Sequence, residues 1–332
     1  MDIKTKEFLD QIVSDKQQLK KRMFWEADAN AMATLSAFLF ASKRKTADID
    51  RYMECKKYFK KNVNIFSELR GIAKVIVITK MCLSSNYEEY LSGVMTVYKK
   101  LRSIHKLHAT PYMVLAAVNI YEAGGVEKAD DNIEKFESVY KQMKADHFWL
   151  TGDEDRPFLA MLISRDIDLT AISDEISACY EASKRMSLSK EAMHTASQIM
   201  SLSNKSVETK VQDLCETMDA FKKYKLHGIR YQIIPMAAAL GLIDKAPIDK
   251  AEYITEIYDY LKTQKGFKWY IGRTQRSLYS ILAYALENLD EDNAALNSII
   301  STTLTNIIIE EIILLIIISS SASTSSGSSS SN

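Results

Sequence analysis

Apolar positions follow a helical period along almost the whole chain. Ile133, Phe136, Val139, Tyr140 and Met143 share one helix face, as do Val207, Val211, Leu214, Cys215 and Met218, because residues three and four apart lie one above the other. Between these half-polar stretches run shorter ones that are apolar nearly all round: MATLSAFLFA, IAKVIVITKMCL, YMVLAAVNIY, FLAMLIS, ASQIMSLS, IIPMAAALGLI and LYSILAYAL. A helix apolar on every side has to be covered on every side. The first kind therefore predicts outer helices and the second kind inner ones.

The two kinds alternate with a period near forty residues. CKKYFKK, MTVYKKLR, ESVYKQMK, SACYEASK, DAFKKYK and YDYLKTQ recur, and with Phe59, Tyr98, Tyr140, Tyr180, Phe221 and Leu261 as anchors the spacings are 39, 42, 40, 41 and 40. These anchors are expected to pack between repeats rather than to stack on a ligand. The fold class expected is all-α: six stacked helical hairpins plus a seventh inner helix, an α-solenoid in which each pair buries its stripe against its neighbours. The alternative is a closed α/α toroid, which requires the first and last repeats to meet. Residues 1–22 are charged throughout and read as a capping helix ahead of a repeat domain at 23–303, which favours the open array.

Composition sharpens the fold class. Only 10 Gly and 4 Pro occur in 332 residues, against usual shares of roughly 7% and 5%, too few for the turns of a β architecture. The 43 basic and 43 acidic side chains balance, so no overall field favours nucleic acid or an anionic membrane. Residues 277–332 carry six acids and no Lys or Arg, leaving a mildly basic body and an acidic end. Cys55, Cys82, Cys179 and Cys215 are widely spaced with no zinc-ligand pattern, as expected of buried free thiols in a reducing cytoplasm. The charged N-terminus lacks the apolar core of a signal peptide.

The chain closes on NIIIEEIILLIIISSSASTSSGSSSSN. As a helix, the 15 residues from Leu304 to Ile318 span roughly 22 Å at about 1.5 Å per residue, short of the ~30 Å hydrocarbon core. Glu310 and Glu311 interrupt the run, and no basic flank is present to set an orientation. A terminal helix at 304–318 docked on the last repeat, followed by a disordered Ser-rich tail at 319–332, is expected ahead of membrane anchoring or of self-association through ILLIII.

Walker, dinucleotide-binding, HExxH and GxSxG signatures are absent, so no catalytic residue, cofactor or metal is assigned and the chain leans away from enzymes. Two loops still hold candidate chemistry. In HFWLTGDEDRPFLAML, His147 precedes Asp153, Glu154 and Asp155, a set suited to a cation or to acid–base work; a solvated acidic loop, with Asp155 or a neighbour capping the next helix, is favoured. In KGFKWYIGRTQR, Trp269 stands among Lys268, Arg273 and Arg276, a mixture able to bind phosphate or stack on a base, with packing between repeats favoured. Arg70, Arg156, Arg230 and Arg273 each stand at the start of an inner helix, where stacked repeats would align them as an edge for carboxylates or an acidic peptide. Ion pairing with Glu68, Asp153 or Glu154 is the competing expectation.

RGIAKVIV, WLTGDEDRPFLAML, KTQKGFKWYIGRTQR and the Ile- and Ser-rich end resemble family 4003 of bacterial domains of unknown function over nearly the whole chain. The resemblance implies a cytoplasmic protein of Firmicute type and carries no activity with it. The function expected is a cytoplasmic helical scaffold that binds a peptide or protein partner. An enzyme or small-ligand protein, with a pocket built from loops between repeats, is the alternative.

Overall fold

The structure, a computed structural model, describes residues 1–288 apart from 24–28, 66, 72, 105–109, 147–151, 164–168, 188, 229 and 269–270; at 146, 169, 170, 230 and 231 it describes the backbone alone. The expected terminal helix 304–318 and tail 319–332 lie outside the described residues. Fourteen α-helices and no strand occur among the described residues, so the protein is all-α. In chain order they are α1 (Ile3–Arg22), α2 (Ala29–Ser42), α3 (Ile49–Asn62), α4 (Lys74–Leu83), α5 (Tyr87–Ile104), α6 (Pro111–Glu122) and α7 (Ala129–Asp146). There follow α8 (Arg156–Leu162), α9 (Leu169–Ser183), α10 (Lys190–Met200), α11 (Val207–Lys223), α12 (Arg230–Gly241), α13 (Pro247–Thr263) and α14 (Arg273–Glu287).

Several helices begin where the sequence provides a partner for their first N–H groups. Asp2, Asp48, Thr110, Ser189 and Ser206 accept from the backbone three residues on, and Pro111 and Pro247 open α6 and α13, where a missing N–H costs nothing. Helix ends are handled differently. With so few glycines, cationic side chains take the carbonyls that a helix leaves without partners. Lys56 Nζ donates to Arg22 O at the end of α1 (3.0 Å). Arg51 reaches Cys82 O (2.9 Å) and Ser84 O (2.7 Å) after α4, and Lys250 reaches Leu240 O (2.7 Å) and Ile243 O (3.0 Å) after α12.

Burial separates two kinds of helix. α2 buries every residue from Ala31 to Ala41, α8 every residue from Arg156 to Leu162 and α14 every residue from Arg276 to Leu286. By contrast α3 buries only Tyr52, Cys55, Lys56 and Phe59, a single stripe. The even-numbered helices are the inner elements and the odd-numbered ones cover them, and all six anchor residues are buried. One glycine is needed for this packing: a Cβ at Gly93 of α5 would stand 2.0 Å from the Tyr121 ring at the end of α6.

Inner helices adjoin one another, α2 against α4, α6 against α8, α10 against α12 and α12 against α14. The two ends of the series also meet. α14 touches both α1 and α2; Phe38 stacks on Tyr279 at 5.7 Å, and Arg44 Nη2 donates to Leu286 O at 2.9 Å. α1 lies along α13 in the same direction. Thr5 Oγ1 meets the Tyr253 hydroxyl at 2.5 Å, the Tyr260 hydroxyl donates to Asp10, and Lys16 Nζ donates to Gly266 O at 2.6 Å with the Phe267 ring 3.6 Å beneath it. The expected capping segment 1–22 holds α1, and Leu19, forty residues before Phe59, is buried like the anchors. Two of its charged residues are buried as well, Asp15 accepting from Ala47 N at 3.0 Å and Lys16 donating to Gly266 O.

Candidate functional site

Of the arginines expected to line one edge, Arg70 and Arg156 turn their guanidiniums to partners within the protein, while the Arg230 side chain lies outside the described residues. Arg70 folds back onto the end of α3, its Nε donating to Val63 O at 2.9 Å and its Nη2 to Lys60 O. Arg276 is buried in its own connector. Its Nε donates to Phe267 O (2.9 Å), its Nη2 to Lys268 O and Ile271 O (2.8 Å), and its Nη1 to the Tyr258 hydroxyl (3.1 Å). Both guanidiniums therefore satisfy backbone carbonyls where the sequence suggested an anion. Arg273 is exposed at the start of α14. Arg230 opens α12 with its side chain outside the described residues, where His147 and Trp269 also lie.

Arg156 is different. It begins α8, is 3% exposed, donates from Nε to Asp153 Oδ1 at 2.8 Å, and lies over the Tyr140 ring at 4.4 Å. Its Nη1 is buried and makes no hydrogen bond. A buried guanidinium with a donor unused is costly, so this atom marks where an acceptor would be stabilised most.

The neighbouring acid departs from the expected solvated cap. Glu154 is exposed, but Asp155 is 3% exposed and turns inward. Its Oδ2 accepts from Gly152 N (2.7 Å), closing the tight turn before α8, and its Oδ1 accepts from Gln198 Nε2 (2.7 Å) on α10. His194, 1% exposed, stands one turn earlier on α10, with Nδ1 3.6 Å from Asp155 Oδ1 and 3.5 Å from Gln198 Nε2. The Tyr180 ring meets the imidazole edge to face at 6.2 Å, and Asn119 Nδ2 ties α6 to Pro157 O at 2.9 Å. Partial desolvation against the turn, with the charges of Asp155 and Asp153 adding to it, raises the carboxyl of the otherwise exposed Glu154 above its ordinary range. Burial likewise raises the Tyr140 phenol, with Arg156 pulling it back.

Four helices thus bring together a cation, two carboxylates, an imidazole and two phenols. An imidazole oriented by a carboxylate is the usual form of a general acid or base, and the adjacent guanidinium suits a carboxylate or phosphate. Neither His194 nor Gln198 was marked by the sequence. The trace of them is a pair of polar residues four apart on the covered face of KEAMHTASQIM, in a helix whose other buried positions are small or apolar. Among the described residues no group of three or more His, Cys, Asp or Glu is placed to hold a metal ion.

With this geometry in hand, comparison with known proteins places the chain. A family model described as a protein of unknown function, DUF4003, matches residues 17–313. The chain belongs to this family. It is 20% identical over 294 residues to the uncharacterized protein YeaA of Bacillus subtilis (strain 168), with 87% of each chain covered. No solved structure matches it. Within the matched span lie the Asp153–Arg156 turn and its partners on α10. No described helix is long and apolar enough to cross a membrane.

Proposed function

We propose that the seven helical pairs form a closed ring, the toroidal form of the forty-residue repeat, and that the protein binds a small anionic ligand at the Arg156 cluster. In this reading Arg156 anchors a carboxylate or phosphate and His194, oriented by Asp155 and Gln198, exchanges a proton with it. The supporting observation is the buried Arg156 Nη1 without an acceptor, next in the chain to the Asp155 carboxylate that stands 3.6 Å from His194 Nδ1. Arg was favoured for such a task because its planar fork matches carboxylate and phosphate oxygens. In this reading the meeting of α14 with α1 and α2 favours the toroidal alternative with a small-ligand pocket over the scaffold expected to bind a peptide or protein. Free buried thiols at Cys55, Cys82 and Cys179 agree with work in the cytoplasm.

Thermal melting of the full chain with inorganic phosphate, succinate and acetate tests this. One of the three should raise the melting temperature saturably, and Arg156→Gln, folded by far-UV circular dichroism, should lose the response. Equal shifts in wild type and Arg156→Gln would remove the cluster as the site. A His194→Asn chain that keeps binding is expected, since its role is proton exchange rather than anchoring.

A further inference from the structure

Two of the buried thiols face one another. Cys55 belongs to the single covered stripe of α3, with Tyr52, Lys56 and Phe59, and is 0% exposed. Cys82 lies in the last turn of α4 and is the more exposed of the two. α3 packs on α4, and the Cys55 thiol stands within hydrogen-bonding reach of Cys82 Sγ. A second contact sets the same register. Cys82 Sγ lies 3.8 Å from the carbonyl oxygen of Asp48, the residue that caps α3, and Cys55 follows two helical turns along the same face.

The surroundings treat the two thiols unequally. Arg51 holds the end of α4, its Nε donating to Cys82 O at 2.9 Å and its Nη2 to Ser84 O at 2.7 Å. The hydrogen bond from Cys55, helped by the charges of Arg51 and Lys45, lowers the Cys82 thiol below its ordinary range against burial and the Asp48 charge. Giving that hydrogen bond, together with burial, raises Cys55. The thiolate is the reactive form of cysteine, so Cys82 is the nucleophile of the pair and Cys55 its neighbour in waiting. The remaining cysteines have different surroundings. Cys179, beside Glu175, is pushed up by burial to about 11. Cys215, half-buried beside Met186, is raised by burial and by the charges of Asp219 and Glu216.

We propose that Cys55 and Cys82 form a reversible redox pair, oxidised by a hydroperoxide to a disulfide that staples α3 to α4. The Cys82 thiolate attacks one peroxide oxygen, the O–O bond breaks, and hydroxide leaves a sulfenic acid behind. The proton that Cys82 gave up turns this hydroxide into water. The Cys55 sulfur then attacks the Cys82 sulfur, and its proton departs with the hydroxyl as a second water. Two thiols lose two electrons and the peroxide gains them. A dithiol reductant reverses the step by exchange, becoming a disulfide itself. Hydrogen peroxide is little larger than water, which suits a thiol that shows only part of its surface. The pair lies on helices that contribute nothing to the Arg156 cluster, so the two readings fail separately.

The test exposes the reduced full-length protein, freed of reductant, to a small molar excess of hydrogen peroxide near neutral pH. Samples are alkylated after increasing times and mapped by peptide mass spectrometry without reduction. The linked Cys55 and Cys82 peptides are expected to appear first, roughly tenfold faster than any change at Cys215, and to separate again with dithiothreitol. Exposure alone would rank Cys215 ahead of both, so the order of oxidation distinguishes the pair's chemistry from simple access. In Cys55→Ser, which keeps a donor for Cys82 and is checked for folding by far-UV circular dichroism, Cys82 should accumulate as a sulfenic acid trapped by dimedone. Oxidation of Cys215 while Cys55 and Cys82 are still alkylated as free thiols overturns the proposal, as does a folded Cys55→Ser chain whose Cys82 takes up no dimedone.

Discussion

Replacing Arg276 by Met should destabilise the protein by about 3 kcal/mol. Met keeps most of the stem length and its apolar contacts while removing all of the donors. In the native chain the guanidinium is 5% exposed, serves the Phe267, Lys268 and Ile271 carbonyls and the Tyr258 hydroxyl, and lies 5.2 Å from the Tyr258 ring. Lys268 is exposed, so water replaces that donor; Phe267 and Ile271 are buried, and each carbonyl left bare there costs roughly 1–3 kcal/mol. Two such losses come to about 4 kcal/mol, reduced by the relief of no longer burying a charge. Arg276→Lys should recover about half, since an ammonium reaches one or two of the carbonyls without matching the fork. Arg273→Ala, at an exposed position three residues away, should change stability by less than about 0.5 kcal/mol. Urea unfolding followed by circular dichroism, with slopes compared as well as midpoints, reads all three. A loss below about 1 kcal/mol for Arg276→Met, or one no larger than that of Arg273→Ala, would refute the claim that this arginine holds its connector.

Two further outcomes follow from burial. Lys250, 2% exposed, is lowered by burial from its ordinary 10.5 to about 8, with Asp213 partly countering the shift. Between those values the unfolded chain holds a proton that the folded chain has released, so stability rises with pH there. Wild type should gain about 2 kcal/mol relative to Lys250→Met between pH 7.5 and pH 10 in paired urea melts, and a constant difference across that range would contradict it. Gly93→Ala places a methyl against the Tyr121 ring, which itself packs edge to face on Tyr90 at 5.3 Å. Overpacking of this kind should cost about 1–3 kcal/mol, and a melting temperature at or above wild type would show that the ring moves aside freely.

Much of the architecture was legible because it is local. Hydropathy over ten or so residues tells a helix covered all round, such as MATLSAFLFA, from one with a single stripe, such as IDRYMECKKYFKKN, and the anchors from Phe59 to Leu261 follow from spacing alone. Capping residues at Asp48, Thr110 and Ser206 act within one turn and are visible for the same reason. The destinations of the charges were not. A guanidinium binds a carboxylate, a ligand anion or a helix-end carbonyl with similar chemistry, and nothing in the sequence ranks them; Arg70 and Arg276 found carbonyls, while Arg156 found Asp153 and kept a donor unused.

Long-range pairing decided the remainder. Asp155 meets Gln198 across 43 positions and Thr5 meets Tyr253 across 248. The meeting of α14 with α1 and α2 likewise joins residues more than 240 positions apart, Phe38 with Tyr279 and Arg44 with Leu286. It is set by side-chain packing between helices, a sum of many tertiary contacts that no local stretch of sequence carries.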